Sequence, residues 1–88
     1  MTRQEFEALL AREGFGEIVT VEREAGGSLG VHTHPFEAKA LILDGEIRIG
    51  TDDSERRYEA GQIFHLAANE PHTEHYGPNG VRYLVGRR

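Results

Sequence analysis

The chain has 88 residues, a formal net charge of −5 and no cysteine. That is one domain whose small core buries only about 60–65% of the extended chain's surface, so association would help it. Disulfides, thiolate ligands and thiol nucleophiles are excluded, which leaves His, Asp, Glu or backbone for any metal site. The acidic balance argues against a nucleic-acid surface, which needs clustered Lys and Arg, and Arg56–Arg57 and Arg87–Arg88 read as solvated loop and tail charges. No apolar run approaches the ~18 residues of a membrane span, and "MTRQEFEALLAREG" is too acidic for a signal peptide. The expected setting is cytoplasmic and bacterial, with no nucleic-acid or membrane partner.

In chain order, only "TRQEFEALLAREGFG" carries helical periodicity. Phe6, Leu9 and Leu10 form one apolar stripe, Thr2 and Glu5 make a capping-box pattern, and Gly14 is a natural stop. The helix is expected within residues 1–14, sealing one edge or end, with no chemistry of its own. From residue 17 the pattern shortens to period two or to compact apolar runs. "EIVTVERE" is β-branched and alternating, and "AKALILD" runs into "GEIRIGT" through Asp44-Gly45, a two-residue hairpin signal. "TDDSERR" is turn-forming, Arg56–Glu59 reads as a short strand, and "GQIFHL" is another. "PHTEHY" and "VRYLV" flank Gly77-Pro78-Asn79-Gly80, read as a further hairpin turn. Seven or eight short strands over residues 17–86 predict an all-β sandwich or barrel after one helix, a single domain across 1–88.

The chemistry concentrates in five histidines: His32, His34, His65, His72 and His75. On a strand, an i, i+2 pair puts both imidazoles on one face, roughly 6–7 Å apart along the chain, so two ring nitrogens can converge on one ion. Taken alone, "HTH" is equally an exposed or hydrogen-bonded pair.

The wider spacing is more specific. Gly26, His32, His34 and Gly45 fit the pattern G(X)5HXH(X)3-4E(X)6G, and Gly61 and His72 fit G(X)5PXG(X)2H(X)3N. These two motifs, in order over about Gly26–Tyr76, resemble the cupin superfamily, specifically a small single-domain cupin. The resemblance implies a double-stranded β-helix, the jelly-roll barrel, with a metal held inside by His32, His34 and His72. It departs at four positions: the family glutamate is Ala38, the proline Ala67, the glycine Asn69 and the terminal asparagine Tyr76.

Strand parity tests the substitutes for the missing carboxylate. Glu37 alternates away from His32, His34 and Ala38, so it is expected outside, paired with Lys39 or an arginine. Glu74 shares parity with His72 and Tyr76 and should face the interior, where a metal, Arg82 or a substrate would partner it. It is a candidate fourth ligand or base, with Tyr76 as a second acid/base candidate; the alternative is a charge at the barrel mouth. His65 and His75 have outward parity, and an outer face of Ile63 and His65 suits a homodimer contact. Tyr58, Tyr76 and Tyr83 either line the cavity or simply pack.

A three-histidine site with an open position suits Zn, Ni, Fe, Mn or Cu. Its expected use is a metal-dependent oxygenase or isomerase acting on a small molecule, with Glu74 or Tyr76 in acid/base roles. The alternative is a non-catalytic metal- or metabolite-binding or sensory module, which the loss of the motif glutamate favours.

Overall fold

In the computed structural model, described over residues 1–52 and 54–88, one helix precedes six strands. They are α1 (Arg3–Arg12), β1 (Glu17–Arg23), β2 (Ser28–His32), β3 (Ala38–Thr51), β4 (Ser54–Glu59), β5 (Ile63–Leu66) and β6 (His72–Arg87). The chain is all-β apart from the helix. Its helix starts as its sequence requires: Thr2 Oγ1 accepts from the Glu5 amide at 3.1 Å, and the Glu5 carboxylate accepts from the Thr2 amide at 2.8 Å.

Two long strands organise the sheet, and here the sequence expectation needs correcting. Asp44-Gly45 and Gly77-Pro78-Asn79-Gly80 are not hairpin turns: β3 and β6 run through them, antiparallel to each other along their lengths. The register between them shifts at Ile42/Asp44 and again at Gly45/Ile47. On β3 the buried set is Ala38, Ala40 and Ile42 before the shift and Ile47 and Ile49 after it. On β6 it passes from His72, Glu74 and Tyr76 to Val81, Tyr83 and Val85. A bulge inserts residues on one strand, which bends the sheet and flips side-chain parity without reversing the chain. Glycine is needed at this bend: Gly45 and Gly80 have φ of +78° and +74°, and a Cβ on Gly45 would overlap the Gly80 carbonyl. The turn chemistry was therefore real, but it is spent on a fold in the sheet. The turn expected from "TDDSERR" falls between β3 and β4, whose ends pair at Thr51 and Ser54; Asp53 lies outside the described residues.

The bend divides the sheet into two layers. One half has the order β1-β6-β3-β5, using residues 38–42 of β3 and 81–87 of β6; the other has the order β2-β6-β3-β4, using residues 46–51 and 72–76. Their inner faces enclose the main core, built on Ala40, Ile42, Ile47, Phe64, Tyr83 and Val85. The fold is thus the jelly-roll barrel.

The helix packs across the outer face of the first half rather than sealing an edge. Phe6, Leu10 and Phe15 join Leu41 and Leu84 in a second cluster, with Leu9, Leu43 and Ile63 at its margin. Ile63 is accordingly taken up within the chain, so the Ile63–His65 face is not wholly free for a partner subunit. Among the described residues no helix is long and apolar enough to cross a membrane.

Candidate metal centre

Four side chains converge in the second half of the barrel. His32, His34, His72 and Glu74 each offer a ligand atom, and these atoms lie within 4.8 Å of one another. Donors about 2.1 Å from a common ion stand roughly 3–4 Å apart, so small side-chain shifts suffice for all four to share one.

β6 delivers His72 and Glu74 at i, i+2, both buried, at the point where β2 ends opposite it in the His32–His72 pair. His32 is the last residue of β2, whereas His34 lies beyond the strand, so the two are not neighbours on one regular strand face. Their rings still meet, at 5.0 Å between centroids, and lie 4.2 Å and 5.1 Å from the His72 ring. His34 is held by stacking on Phe36, 5.0 Å away and nearly parallel at 11°, while its carbonyl accepts from the Asn69 amide at 2.7 Å. Asn69 itself has φ +61°, the left-handed conformation that glycine takes in the related motif.

The hydrogen bonds fix which nitrogen faces inward. His32 Nδ1 lies 2.6 Å from the Gly30 carbonyl and His72 Nδ1 lies 2.9 Å from the Glu70 carbonyl. A carbonyl only accepts, so both Nδ1 atoms carry protons and donate. In the neutral rings each Nε2 is then a bare lone pair. Both Nε2 atoms face the same oxygen of Glu74, at 3.0 Å from His32 and 3.2 Å from His72. The other Glu74 oxygen accepts from the Tyr76 hydroxyl at 3.1 Å. Three lone-pair donors aimed at one another repel unless protons or a cation lie between them, and the backbone-anchored imidazole is a recurrent arrangement around metals. The donor set fits a divalent transition metal.

The charges around the cluster follow from burial. Desolvation, with the neighbouring His72 and His32, holds the His34 imidazole below its ordinary pKa, partly opposed by Glu74. Burial and the Glu74 charge raise both Tyr76 and Tyr83, so each keeps its hydroxyl proton. Tyr58 packs against Phe64, with ring centroids 5.8 Å apart.

The remaining candidates are accounted for outside the cluster. Glu37 points away, its carboxylate taking one hydrogen bond from Arg88 Nε at 2.7 Å and another from His65. Lys39 pairs with Glu13 instead, at 2.7 Å. Arg82 is exposed and is not a partner of Glu74, whose contacts are His32, His72 and Tyr76. His75 lies 3.6 Å from Glu55 on the outer side. Ala38 holds the inward position that parity assigns, and it lines a cavity of about 70 Å³ whose wall includes His34, Phe36, Glu74 and Arg87. Arg87 was misread as a tail charge. Its signal was available: Val81, Tyr83 and Val85 alternate inward, and the next such residue is Arg87. Phe36 left no such signal, because it sits in the irregular segment after His34.

Comparison with known proteins agrees with the fold. Residues 19–84 match the family model described as a cupin domain. Among solved structures, a protein of unknown function from Rhizobium leguminosarum bv. viciae 3841 is 20% identical, with a TM-score of 0.75, over 80% of this chain and 66% of its own. The cupin domain of Schizosaccharomyces pombe Cnp3 is 19% identical, with a TM-score of 0.70, over 80% of this chain and 50% of its own. The DMSP lyase DddQ of Ruegeria pomeroyi DSS-3 is 26% identical, with a TM-score of 0.72, over 81% of this chain and 36% of its own. The chain therefore spans two-thirds or less of the length of each of these proteins. No curated protein matches it.

Proposed function

The chain belongs to the cupin domain family, and from that premise we propose that His32, His34, His72 and Glu74 hold a divalent transition metal at which a small molecule is converted. One observation carries the reading: two imidazoles anchored through Nδ1 to backbone carbonyls aim their Nε2 atoms at the same buried carboxylate oxygen. Zinc, nickel, iron, manganese and copper all suit this donor set. The ion, when bound, supplies an electrophilic centre that polarises an oxygen-bearing ligand.

The chain's own residues do the rest. His32 and His72 are pre-aimed by the Gly30 and Glu70 carbonyls. Tyr76 keeps its proton and steadies Glu74, so the carboxylate is the group able to accept a proton beside the cavity. Phe64, Leu66 and Val85 give the cavity an apolar wall. An oxygenase or an isomerase is the activity this supports, and one structural neighbour, a DMSP lyase, is itself an enzyme. Ala38 favours a second reading, a non-catalytic binding module, because the position the motif reserves for a carboxylate is apolar.

Elemental analysis of wild type beside His32→Ala and His72→Ala tests the centre. Near-stoichiometric metal in the wild type and its loss in both variants is expected; wild type that takes up no Zn, Ni, Fe or Mn would refute it. Small acids, diketones and phenols incubated with loaded protein, with and without O₂, then separate turnover from binding alone. The proposal also keeps the chain as a homodimer, and light scattering at a monomer mass would remove that element.

A further inference from the structure

Arg87 stands directly opposite Ala38 in the β3–β6 register. Side chains at such a pair come within roughly 4.5–5.5 Å at Cβ. Here one partner is a methyl group and the other a guanidinium on the wall of the same cavity. Only one edge of that guanidinium is engaged: Nη1 donates to Glu17 at 3.1 Å. Nε is buried and has no hydrogen-bond partner among the described residues. The guanidinium carbon lies 4.8 Å from the centre of the Phe36 ring, which in turn stacks on His34. That arrangement leaves its Nε/Nη2 edge, the fork that matches a carboxylate bidentately, without an acceptor among the described residues. A buried donor left unmade costs free energy, so something that enters this cavity should satisfy it.

We propose that the cavity binds a small monocarboxylate, whose carboxylate takes the Nε/Nη2 edge of Arg87 in the space left open by Ala38. The protein thus receives from its ligand the carboxylate that its own sequence lacks at position 38. The cavity volume of about 70 Å³, at roughly 10–15 Å³ per water-sized group, admits a body of about five or six non-hydrogen atoms. Leu66, Phe64 and Val85 make the wall around that body apolar, and His34 and Glu74 border the far end of the ligand. The assignment rests on the barrel interior being a small-molecule site; it does not require the metal.

Isobutyrate and its isosteric amide, isobutyramide, are suitable probes, titrated by ¹H–¹⁵N NMR into EDTA-stripped and zinc-loaded protein. Isobutyrate is expected to bind stripped wild type at least tenfold more tightly than isobutyramide. Arg87→Gln should erase that preference. Ala38→Glu should do the same by supplying an internal partner, while Glu17→Ala, which removes the acceptor of Nη1, should leave isobutyrate affinity equal or tighter. Circular dichroism establishes that each variant is folded before it is scored. Failure of isobutyrate to bind folded wild type, or unchanged affinity in folded Arg87→Gln, overturns the assignment. Binding that appears only with zinc and ignores Arg87 also overturns it, while leaving the metal centre standing. Arg87-dependent binding by protein that takes up none of Zn, Ni, Fe and Mn supports it and refutes the metal centre.

Discussion

The most discriminating perturbation is Glu74→Gln, because it changes charge and proton inventory while keeping shape. In metal-free protein with both rings neutral, Glu74 presents a buried carboxylate oxygen to the Nε2 atoms of His32 and His72 at 3.0 and 3.2 Å. A glutamine placed there would put its NH₂ group at those two contacts and its carbonyl at the Tyr76 hydroxyl, 3.1 Å from the present oxygen. Three hydrogen bonds would then be satisfied where one is satisfied now. Two new bonds at about 1 kcal/mol each give about 2 kcal/mol, before any relief of the buried charge is counted. For a domain of this size, about 4–8 °C per kcal/mol turns that into a Tm increase of about 8–16 °C.

Metal reverses the order. Zinc at 100 times Kd stabilises wild type by about 2.7 kcal/mol; if the variant binds a hundredfold more weakly, the same concentration contributes only about 0.4 kcal/mol. The assay is thermal unfolding at pH 8 of both proteins, in EDTA and in zinc. The prediction is that Glu74→Gln melts higher than wild type in EDTA and gains little from zinc. A variant that melts several degrees lower in EDTA would refute the reasoning. The imidazoles would then already be supplying protons to the carboxylate, and the cluster would be a self-sufficient ion-pair network needing no cation.

Three further predictions concern pH and backbone. His34 has a folded-state pKa depressed from 6.5, chiefly by burial. The folded protein therefore binds fewer protons there than the unfolded chain, so stability is complete above that value and declines as pH falls through it. His34→Asn should flatten part of that decline in a Tm-against-pH series. Glu37 is depressed from 4.5, first by the Arg88 hydrogen bond and then by His65. Its contribution is present above 4.5 and lost on acidification below it, and Glu37→Gln should remove that acid limb. Gly45→Ala forces a side chain onto φ +78° and into the Gly80 carbonyl. It should cost more than about 3 kcal/mol, read as a drop in urea midpoint at unchanged slope, and a cost below 1 kcal/mol would mean the bend is not rigid.

The contrast between Glu37 and Glu74 shows what period-two reasoning can reach in this chain. Parity separated the sequence-adjacent acid from the one forty residues from His34: Glu74 shares the regular strand β6 with His72, and Glu37 immediately precedes Ala38, the inward first residue of β3. The same reasoning fails across residues 43–46 and 77–80, where the inward set changes phase on both β3 and β6. Asp-Gly and Gly-Pro-Asn-Gly are compatible with either a hairpin or a bulge, since both demand a residue at positive φ. What decides between them is the partner strand: two strands that bulge at the same level, Gly45 against Gly80, bend together and remain paired. That is a tertiary fact, and no local window contains it.

This bend also explains why the cluster and the arginine share one cavity. Without the phase change, the inward residues of β6 would continue His72, Glu74 and Tyr76 into even-numbered positions, and Arg87 would face outward. With it, Val81, Tyr83, Val85 and Arg87 turn inward, so one strand supplies the carboxylate at one end of its length and the guanidinium at the other. On β3 the same change brings Ala38 inside and opposite Arg87. The glycine pair is therefore as much a determinant of the site as the histidines are. A substitution at Gly45 that left the fold intact but slipped the register by one residue would turn Arg87 out of the cavity without touching a single candidate metal ligand. Isobutyrate affinity would fall in such a variant while zinc uptake stayed near stoichiometric; loss of both together would mean that the two halves of the barrel do not move independently.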